Sequence, residues 1–126
     1  MPRNHQSPSH TEMAAVARGG PWWGRLAPRL RTAPVASPDV YYDILAPHVS
    51  SLEVWETEYL QVLEGEHPVV EWTKGTALRP ILEPLDEAER AAFLAEYTAR
   101  VDRAYPPRAD GRTLFPFRRL FLVAQR

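Results

Sequence analysis

Residues 111–126, GRTLFPFRRLFLVAQR, decide the fold because they predict a β-strand that needs other strands around it. The run from residue 117 to residue 124 is mostly apolar and carries no helix-capping signal, which is typical of a strand buried in a sheet. A chain of 126 residues offers few other candidate strands. The neighbours of this closing strand are therefore the main structural question.

Residues 52–63 predict a second long strand, because they are rich in Val, Trp, Thr and Tyr. The ends of this segment are apolar and its middle, Glu56-Thr57-Glu58, is polar. The two strands could pair antiparallel, but a two-stranded sheet is only marginally stable in water. An apolar edge that stays open invites association with another chain. We therefore expect either a larger sheet or self-association through the open edge.

The N-terminal third predicts short helices and loops, because it is rich in proline. Ser9 and Glu12 have the spacing of a capping box, which predicts a helix that ends near Gly19-Gly20. Trp22 and Trp23 follow, and we expect them to cover the core rather than to line a substrate site. Ser37-Pro38-Asp39 predicts a further helix start, with proline in the first turn.

Between the two strands the sequence predicts three helical pieces. The first begins at Pro68, and the second contains Arg79-Pro80. The third begins with a capping box at Asp86 and Glu89, and an apolar stripe with helical spacing follows it. The order is thus helices, strand, helices, strand, which predicts a mixed α/β fold.

Composition excludes several classes of function. The chain contains no cysteine, which excludes disulfides and thiolate chemistry, and its four histidines lack metal-ligand spacing and are predicted to be surface or cap residues. An isoelectric point of about 6.4 without a basic stripe argues against nucleic-acid binding. No apolar run is long enough to span a membrane, and the first residues do not resemble a signal peptide, so we expect a cytoplasmic protein.

Four segments carry a family resemblance: YYDILAPHV (41–49), WETEYLQVLEG (55–65), VVEWTKGTALRP (69–80) and LFPFRRLFLVAQR (114–126). Together they resemble the C-terminal half of the trans-aconitate 2-methyltransferase family, whose members have a Rossmann-like fold and use S-adenosylmethionine. The most specific patterns are W-x-x-x-T-x-L-R-P, residues 72–80, and R-L-F-x-V-A, residues 119–124. The opening residues also resemble the stretch after that family's fifth strand.

The resemblance implies a single partial domain, the C-terminal portion of a Rossmann-like fold with two long antiparallel strands and cap helices. Its segments would be a helical and loop segment (1–38) after a missing fifth strand, a helix and the sixth strand (39–63), a helical cap (64–107) and the seventh strand (108–126). The seventh strand would lie between the fifth and the sixth. The glycine-rich turn that binds S-adenosylmethionine in this family has no counterpart among the six glycines. We therefore expect a truncated or split protein that is inactive without a complementary N-terminal half.

The family reaction implied by the resemblance transfers a methyl group to a carboxylate of trans-aconitate or a similar small acid. No catalytic residue is assigned, because a carboxylate is already a nucleophile. Arginine and lysine would hold such a substrate, and aromatic residues would line its pocket. The candidate substrate-binding residues are Arg79, Lys74, Arg119, Trp72, Tyr41 and Asn4. Each has a structural alternative, such as a helix-end cation for Lys74 and a core position for Trp72 and Tyr41.

Two other hypotheses remain open. The chain could be a non-catalytic α+β module that docks on another protein through its acidic middle and its open sheet edge. It could also be one half of a split enzyme that a separate chain completes. Binding of S-adenosylmethionine by this chain alone would argue against a missing cofactor site.

Overall fold

A computed structural model describes residues 1–30 and 35–126; residues 31–34 of the predicted N-terminal helical and loop segment lie outside the described part. In the described part the chain forms six α-helices and two β-strands. In chain order they are α1 (Pro8–Gly19), α2 (Trp23–Leu26), α3 (Pro38–Leu45), β1 (Ser51–Leu63), α4 (Pro68–Lys74), α5 (Arg79–Leu82), α6 (Glu87–Ala104) and β2 (Thr113–Gln125). Short 3₁₀ turns follow α2 and α3. The expected mixed α/β fold is confirmed.

Strand β2 is bonded on both of its edges. On one edge it pairs antiparallel with β1 in continuous register, from Ser51 opposite Gln125 to Leu63 opposite Thr113. On the other edge the Leu120 N–H donates to the Met1 carbonyl at 2.7 Å, and the Arg3 N–H donates to the Arg118 carbonyl at 2.9 Å. The closing strand is therefore the middle one of three extended segments, which is the order that the family resemblance implies.

Pro116 lies inside β2, where a proline is normally excluded because it has no N–H to donate. The N–H groups of Arg118 and Leu120 point to the edge that faces the N-terminal segment. Backbone N–H groups alternate between the two edges along a strand, and Pro116 lies two residues before Arg118. The N–H that Pro116 lacks would therefore also point to that edge and not to β1. The ladder with β1 therefore loses no donor at this position.

The helices enclose one apolar core, to which β2 contributes the buried side chain of Phe115. Trp22 belongs to this core: its ring lies 5.5 Å from that of Phe93, and its Nε1 donates to the Val16 carbonyl at 3.2 Å. A Cβ atom on Gly20 would approach the Trp22 ring to 2.2 Å, so glycine is required there. The prediction that this tryptophan covers the core is confirmed.

Helix α1 begins earlier than the sequence predicts. Its first residue is Pro8, which suits the first turn because the missing N–H would be unpaired there anyway. Ser9 therefore lies inside the helix and is fully buried, and the predicted capping box with Ser9 as its first residue is wrong. Ser7 occupies the cap position instead, and its hydroxyl donates to the Asn4 carbonyl at 2.6 Å.

The sheet is less buried than its composition predicts. Every residue of β1 is exposed or half-exposed, and only three residues of β2 are buried. The exposed large side chains of the sheet are Trp55, Tyr59, Leu60, Val62 and Val123. Beyond Leu120, the edge of β2 opposite β1 has no pairing segment among the described residues. This edge and the exposed apolar side chains beside it are thus left uncovered in the described part.

The predicted capping box at the start of α6 is confirmed and is joined to α2. The Asp86 carboxylate accepts from the Glu89 N–H at 2.8 Å, and Glu89 accepts in return from the Asp86 N–H at 3.2 Å. Arg25 also donates two hydrogen bonds to the Glu89 carboxylate. These donors, the Arg25 side chain first, lower the pKa of Glu89 from 4.5 to about 2.

We predict that Glu89→Gln makes the stability of the protein depend less on pH in the acid range, below about pH 4.5. A lowered carboxylate pKa contributes stability above the ordinary pKa of 4.5, and this contribution is lost as the pH falls toward about 2. The variant should therefore melt at a lower temperature near neutral pH and converge with the parent at low pH, measured by circular dichroism. Glu87→Gln is the matched control, because Glu87 lies in the same turn without an ion pair among the described residues. If the difference in melting temperature between the parent and Glu89→Gln is the same at every pH, the prediction is wrong.

Candidate functional site

A cavity in the described part of the chain has a volume of about 540 Å³. It opens where the N-terminal segment, α1, the α4–α5 region and the start of β2 meet. The lining residues are Pro2, Asn4, His5, Ser9, His10, Thr11, Met13, Ala14, Arg18, Arg29, Leu30, Trp72, Thr73, Thr76, Ala77, Pro80, Ile81, Phe115 and Phe117. This volume suits a small organic ligand.

One stripe of α1 forms a wall of the cavity. His10, Ala14 and Arg18 are four residues apart, so they lie in a row along one face of the helix. The opposite face of the helix packs on the core through Met13, Val16 and Ala17. The half-buried His10 and the exposed Arg18 lie at the two ends of this wall, with the small side chain of Ala14 between them.

A buried tyrosine of α6 is hydrogen-bonded to two helices that line the cavity, α1 and α4. The Tyr97 hydroxyl on α6 donates to the Ser9 carbonyl on α1 at 2.8 Å, and its oxygen lies 3.3 Å from the Thr73 Oγ1 on α4. Thr73 in turn donates to the Val70 carbonyl at 3.0 Å. Burial raises the pKa of Tyr97 to about 12, so the hydroxyl keeps its proton and remains a donor.

Aromatic rings form the opposite wall. The Trp72 ring lies 5.9 Å from that of Phe115 and 6.1 Å from that of Phe117, and the two phenylalanines lie 6.0 Å apart. These edge-to-face and tilted contacts form an apolar surface on which the carbon skeleton of a ligand could pack.

The ionisable side chains of the cavity are all basic. Two arginines and two histidines line it, and no acidic residue does so among the described residues. Arg29 is already engaged, because it donates to the Pro80 carbonyl at 3.0 Å and to Glu83 at 3.3 Å. Arg18 lies over the Trp23 ring at 5.9 Å and forms no ion pair with any described acid. The cavity therefore favours an anionic ligand.

Both histidines of the cavity are half-buried. Burial first, and then the neighbouring charge of His5, lowers the pKa of His10. The Nδ1 atom of His5 is buried and has no hydrogen-bond partner among the described residues. The sequence predicts surface or cap positions for both histidines, and the structure places both half-buried in the cavity wall.

Two of the six candidate substrate-binding residues line the cavity. Trp72 belongs to its aromatic wall, and Asn4 lines its opposite side while its side-chain oxygen accepts from the Arg118 N–H at 2.5 Å. The other four lie elsewhere. Lys74 donates to Glu71 at 2.8 Å on the exposed face of α4, and Arg79 is exposed at the start of α5.

Arg119 and Tyr41 also lie outside the lining. The Arg119 guanidinium lies over the Phe117 ring, 5.0 Å from its centre. The Tyr41 hydroxyl on α3 accepts from the Ala36 N–H at 3.1 Å. Sequence reasoning missed Arg18, His5 and His10, and the signal that could have found two of them is the four-residue spacing of His10, Ala14 and Arg18.

The described residues do not fit S-adenosylmethionine. Its usual cradle is a glycine-rich turn between a strand and a helix. The turn from β1 to α4 contains a single glycine, Gly65, flanked by two glutamates, and no atom lies within 4 Å of a Cβ built there. Gly20 faces the Trp22 ring, so its open side is already filled.

Other kinds of site find no support in residues 1–30 and 35–126. No group of three His, Asp or Glu side chains in these ranges could hold a metal ion. No helix in these ranges combines the length and apolarity that crossing a bilayer requires.

The chain is similar over its whole length to several bacterial proteins named trans-aconitate 2-methyltransferase. It is 53 % identical over 126 residues to the one from Azoarcus sp. (strain BH72), which covers 100 % of this chain and 49 % of that protein. It is 50 % identical to the one from Rhodopseudomonas palustris (strain BisB5) and 46 % identical to the one from Yersinia pestis (strain Pestoides F), with 98 % of this chain covered in each case.

This chain matches the C-terminal half of methyltransferases. It spans about half the length of the curated relatives it matches, 48 to 49 % in the three named above. No protein-family model matches it. The family resemblance carried by residues 41–49, 55–65, 69–80 and 114–126 is thereby confirmed.

We predict that Tyr97→Phe destabilises the helices around the cavity. The change removes one hydroxyl and with it the buried hydrogen bond to the Ser9 carbonyl, which costs about 0.5–1.5 kcal/mol of unfolding free energy. Urea unfolding followed by tyrosine and tryptophan fluorescence measures this difference. Tyr42→Phe, at a position 53 % exposed, is the control and should change stability little. Equal stability of the two variants would contradict the role given to Tyr97.

Proposed function

We propose that this chain supplies the substrate-binding half of an S-adenosylmethionine-dependent methyltransferase that acts on a carboxylate of trans-aconitate or a similar small acid. The observation that carries the proposal is the identity of 53 % over all 126 residues with a protein named trans-aconitate 2-methyltransferase. The basic and aromatic cavity supports the same substrate class, because an anion with a short carbon skeleton suits both of its walls.

The chemistry needs little from the protein beyond placement. A carboxylate is already anionic, so the transfer of a methyl group to its oxygen requires no strong general base. The rate then depends on holding the two reactants in line and excluding water. The residues of this chain would bind and orient the acid, and its aromatic wall would shield the reacting carboxylate.

In this proposal S-adenosylmethionine is held by residues other than these 126. The described glycines provide no cradle for it. The free edge of β2 beyond Leu120 offers a place where another extended segment could pair. The complete enzyme would therefore need a complementary half, in the same chain or in a second one, and these residues alone would be inactive.

A second candidate is a non-catalytic module that binds another protein. The observation that favours it is the exposed apolar surface of the sheet, where Trp55 is 42 % and Val123 is 54 % exposed. Self-association through the same edge is the simplest form of such binding. A protein-binding module needs no small-molecule cavity. The two candidates therefore differ in whether the residues that line the cavity bind a ligand.

The decisive test is a chimaera that joins the N-terminal half of the Azoarcus relative to these 126 residues. We expect the chimaera to convert trans-aconitate to a methyl ester with S-adenosylmethionine as donor, detected by mass spectrometry. The Azoarcus protein itself is the positive control. A chimaera that folds and binds S-adenosylmethionine but methylates neither trans-aconitate nor related acids would refute the proposal.

The isolated chain gives a complementary prediction. Titration of the 126 residues with S-adenosylmethionine in a calorimeter should release no stoichiometric heat, because the glycine-rich turn is lacking. The chimaera, titrated under the same conditions, is the matched control and should bind one equivalent. One equivalent bound by the isolated chain would show that the cofactor site lies within it.

A further inference from the structure

We propose that the outer edge of β1 pairs with the same edge of a second copy of this chain, antiparallel and with Thr57 on the two-fold axis. The two sheets would then join into one four-stranded sheet, with β1 of each copy in its middle. This interface goes beyond the function proposed above and does not depend on it. It is inferred from the open edge of β1 and from the order of the residues along that strand.

The outer edge of β1, which faces away from β2, carries no backbone hydrogen bond among the described residues. Odd-numbered residues of β1 pair with odd-numbered residues of β2, whose N–H groups point to β1 because those of Arg118 and Leu120 point to the opposite edge. The N–H and C=O groups of the even-numbered residues, from Leu52 to Val62, therefore point outward. A free row of donors and acceptors of this length is a template for another strand.

The residues of β1 are arranged almost symmetrically about Thr57. The next residue on each side is a glutamate, the second is aromatic, and the third and fifth are aliphatic. In an antiparallel pair with Thr57 opposite itself, most residues therefore meet one of their own kind. The apolar pairs are Trp55 with Tyr59, Val54 with Leu60, and Leu52 with Val62. Even-numbered residues meet even-numbered ones, so the outward N–H and C=O groups of the two copies are matched.

The aromatic pairs would continue rows that already cross each sheet. Trp55 stacks on Phe121 of β2 with ring centres 5.4 Å apart, and Tyr59 lies opposite Phe117. With the two copies paired, a row of four aromatic side chains would run across the four strands, and the two-fold axis would repeat it. Trp55 is 42 % and Tyr59 is 41 % exposed in the single chain. Cross-strand aromatic pairs of this kind stabilise sheets.

On the other face of the sheet, the same register would cover the two most exposed apolar side chains of β1, Leu60 and Val62. Moving the axis by one residue in either direction destroys this match. With the axis at Glu58, that residue faces its own copy, and Glu56 lies opposite Leu60. With the axis at Glu56, that residue faces its own copy, and Glu58 lies opposite Val54. The order of residues thus favours the axis at Thr57.

One pairing in this register is unfavourable, because Glu56 of each copy lies opposite Glu58 of the other. The Glu56 carboxylate accepts a hydrogen bond from the Arg3 guanidinium at 2.5 Å, which offsets part of its charge. Glu58 lies opposite Arg118 of β2 and forms no ion pair within the described part of the chain. The repulsion that remains should weaken the dimer, so removal of one of these charges should strengthen it.

Sedimentation equilibrium of the 126-residue chain tests for the dimer. We expect a concentration-dependent equilibrium between monomer and dimer without larger assemblies, because a two-fold contact occupies the same edge on both copies. Leu60→Pro removes one outward N–H from each copy but no donor from the ladder with β2, as Pro116 does at the other edge. This variant should weaken dimerisation by about tenfold or more. A melting curve by circular dichroism checks that it is folded.

A second variant gives an effect of opposite sign without disturbing the backbone. Glu58→Gln should strengthen dimerisation by about fivefold, because two like-charge pairs across the axis are removed. Glu87→Gln removes the same charge from the first turn of α6 and should leave the equilibrium unchanged. A gain in affinity from Glu58→Gln that Glu87→Gln does not share cannot arise from net charge alone.

A single cysteine locates the axis, because the chain has none of its own. With Thr57→Cys, the two introduced side chains would face each other with about 4.5 Å between their Cα atoms, which a disulfide can bridge. We expect a covalent dimer after mild oxidation. Gln61→Cys lies on the same face of β1 and is likewise half-buried, but it would face Glu53. This control should therefore cross-link much more slowly.

Several results would overturn the proposed interface. A chain that stays monomeric at every concentration, or that forms assemblies larger than a dimer, has no closed contact of this kind. Equal cross-linking of Thr57→Cys and Gln61→Cys would show that the axis lies elsewhere. Unchanged or weaker dimerisation in Glu58→Gln would show that Glu58 does not face an acid of the second copy.

Discussion

The whole arrangement depends on the hydrogen bonding of β2 along both of its edges. Its pairing with β1 alone would give a two-stranded ribbon, which is marginal in water. The bonds from Leu120 and Arg118 to the first three residues add a third extended segment and fix the start of the chain against the sheet. The Arg118 N–H then holds the Asn4 side chain, so the turn that leads into α1 begins at a defined place. The cavity exists because this turn brings His5 to the same side as Phe115 and Phe117.

Hydrogen bonds between helices complete what the sheet begins. α1 packs on the core through Met13, Val16 and Ala17. Two hydrogen bonds add to this packing, from the Tyr97 hydroxyl to the Ser9 carbonyl and from the Trp22 indole to the Val16 carbonyl. Both donors are buried, so both bonds are protected from competition with water. The backbone of the wall that carries His10 and Arg18 is therefore held against the helical core beneath it.

The sequence predicted the elements well where local signals decide them, and less well where packing decides. The start of α6 was predictable because Asp86 and Glu89 satisfy each other within one turn. The start of α1 was mispredicted because Ser9 and Glu12 have capping-box spacing, while Pro8 fits the first turn better and moves the helix start before Ser9. Lys74 and Arg79 were natural candidates beside Trp72, but helix geometry turns them outward. His5 comes from a turn whose place is set by contacts more than a hundred residues away in sequence, so no local pattern could associate it with Phe115.

The exposed surface of the sheet is of the kind that a further strand would cover. The apolar side chains of the sheet remain exposed, and the edge of β2 beyond Leu120 is unpaired, although β2 has the composition of a buried strand. The glycines also provide no cradle for a nucleotide-like cofactor. An extended segment in line with residues 1–3, and like them antiparallel to β2, would pair the free edge of β2 and cover part of the exposed surface. In an open α/β sheet, ligands bind beyond the carboxyl ends of the parallel strands. Residues 4 and 5 directly follow the extended segment 1–3, so a cofactor bound to such a sheet would lie beside the cavity that holds His5 and Arg18. Under the proposed function, the acid bound in the cavity would therefore lie beside a cofactor bound to the sheet.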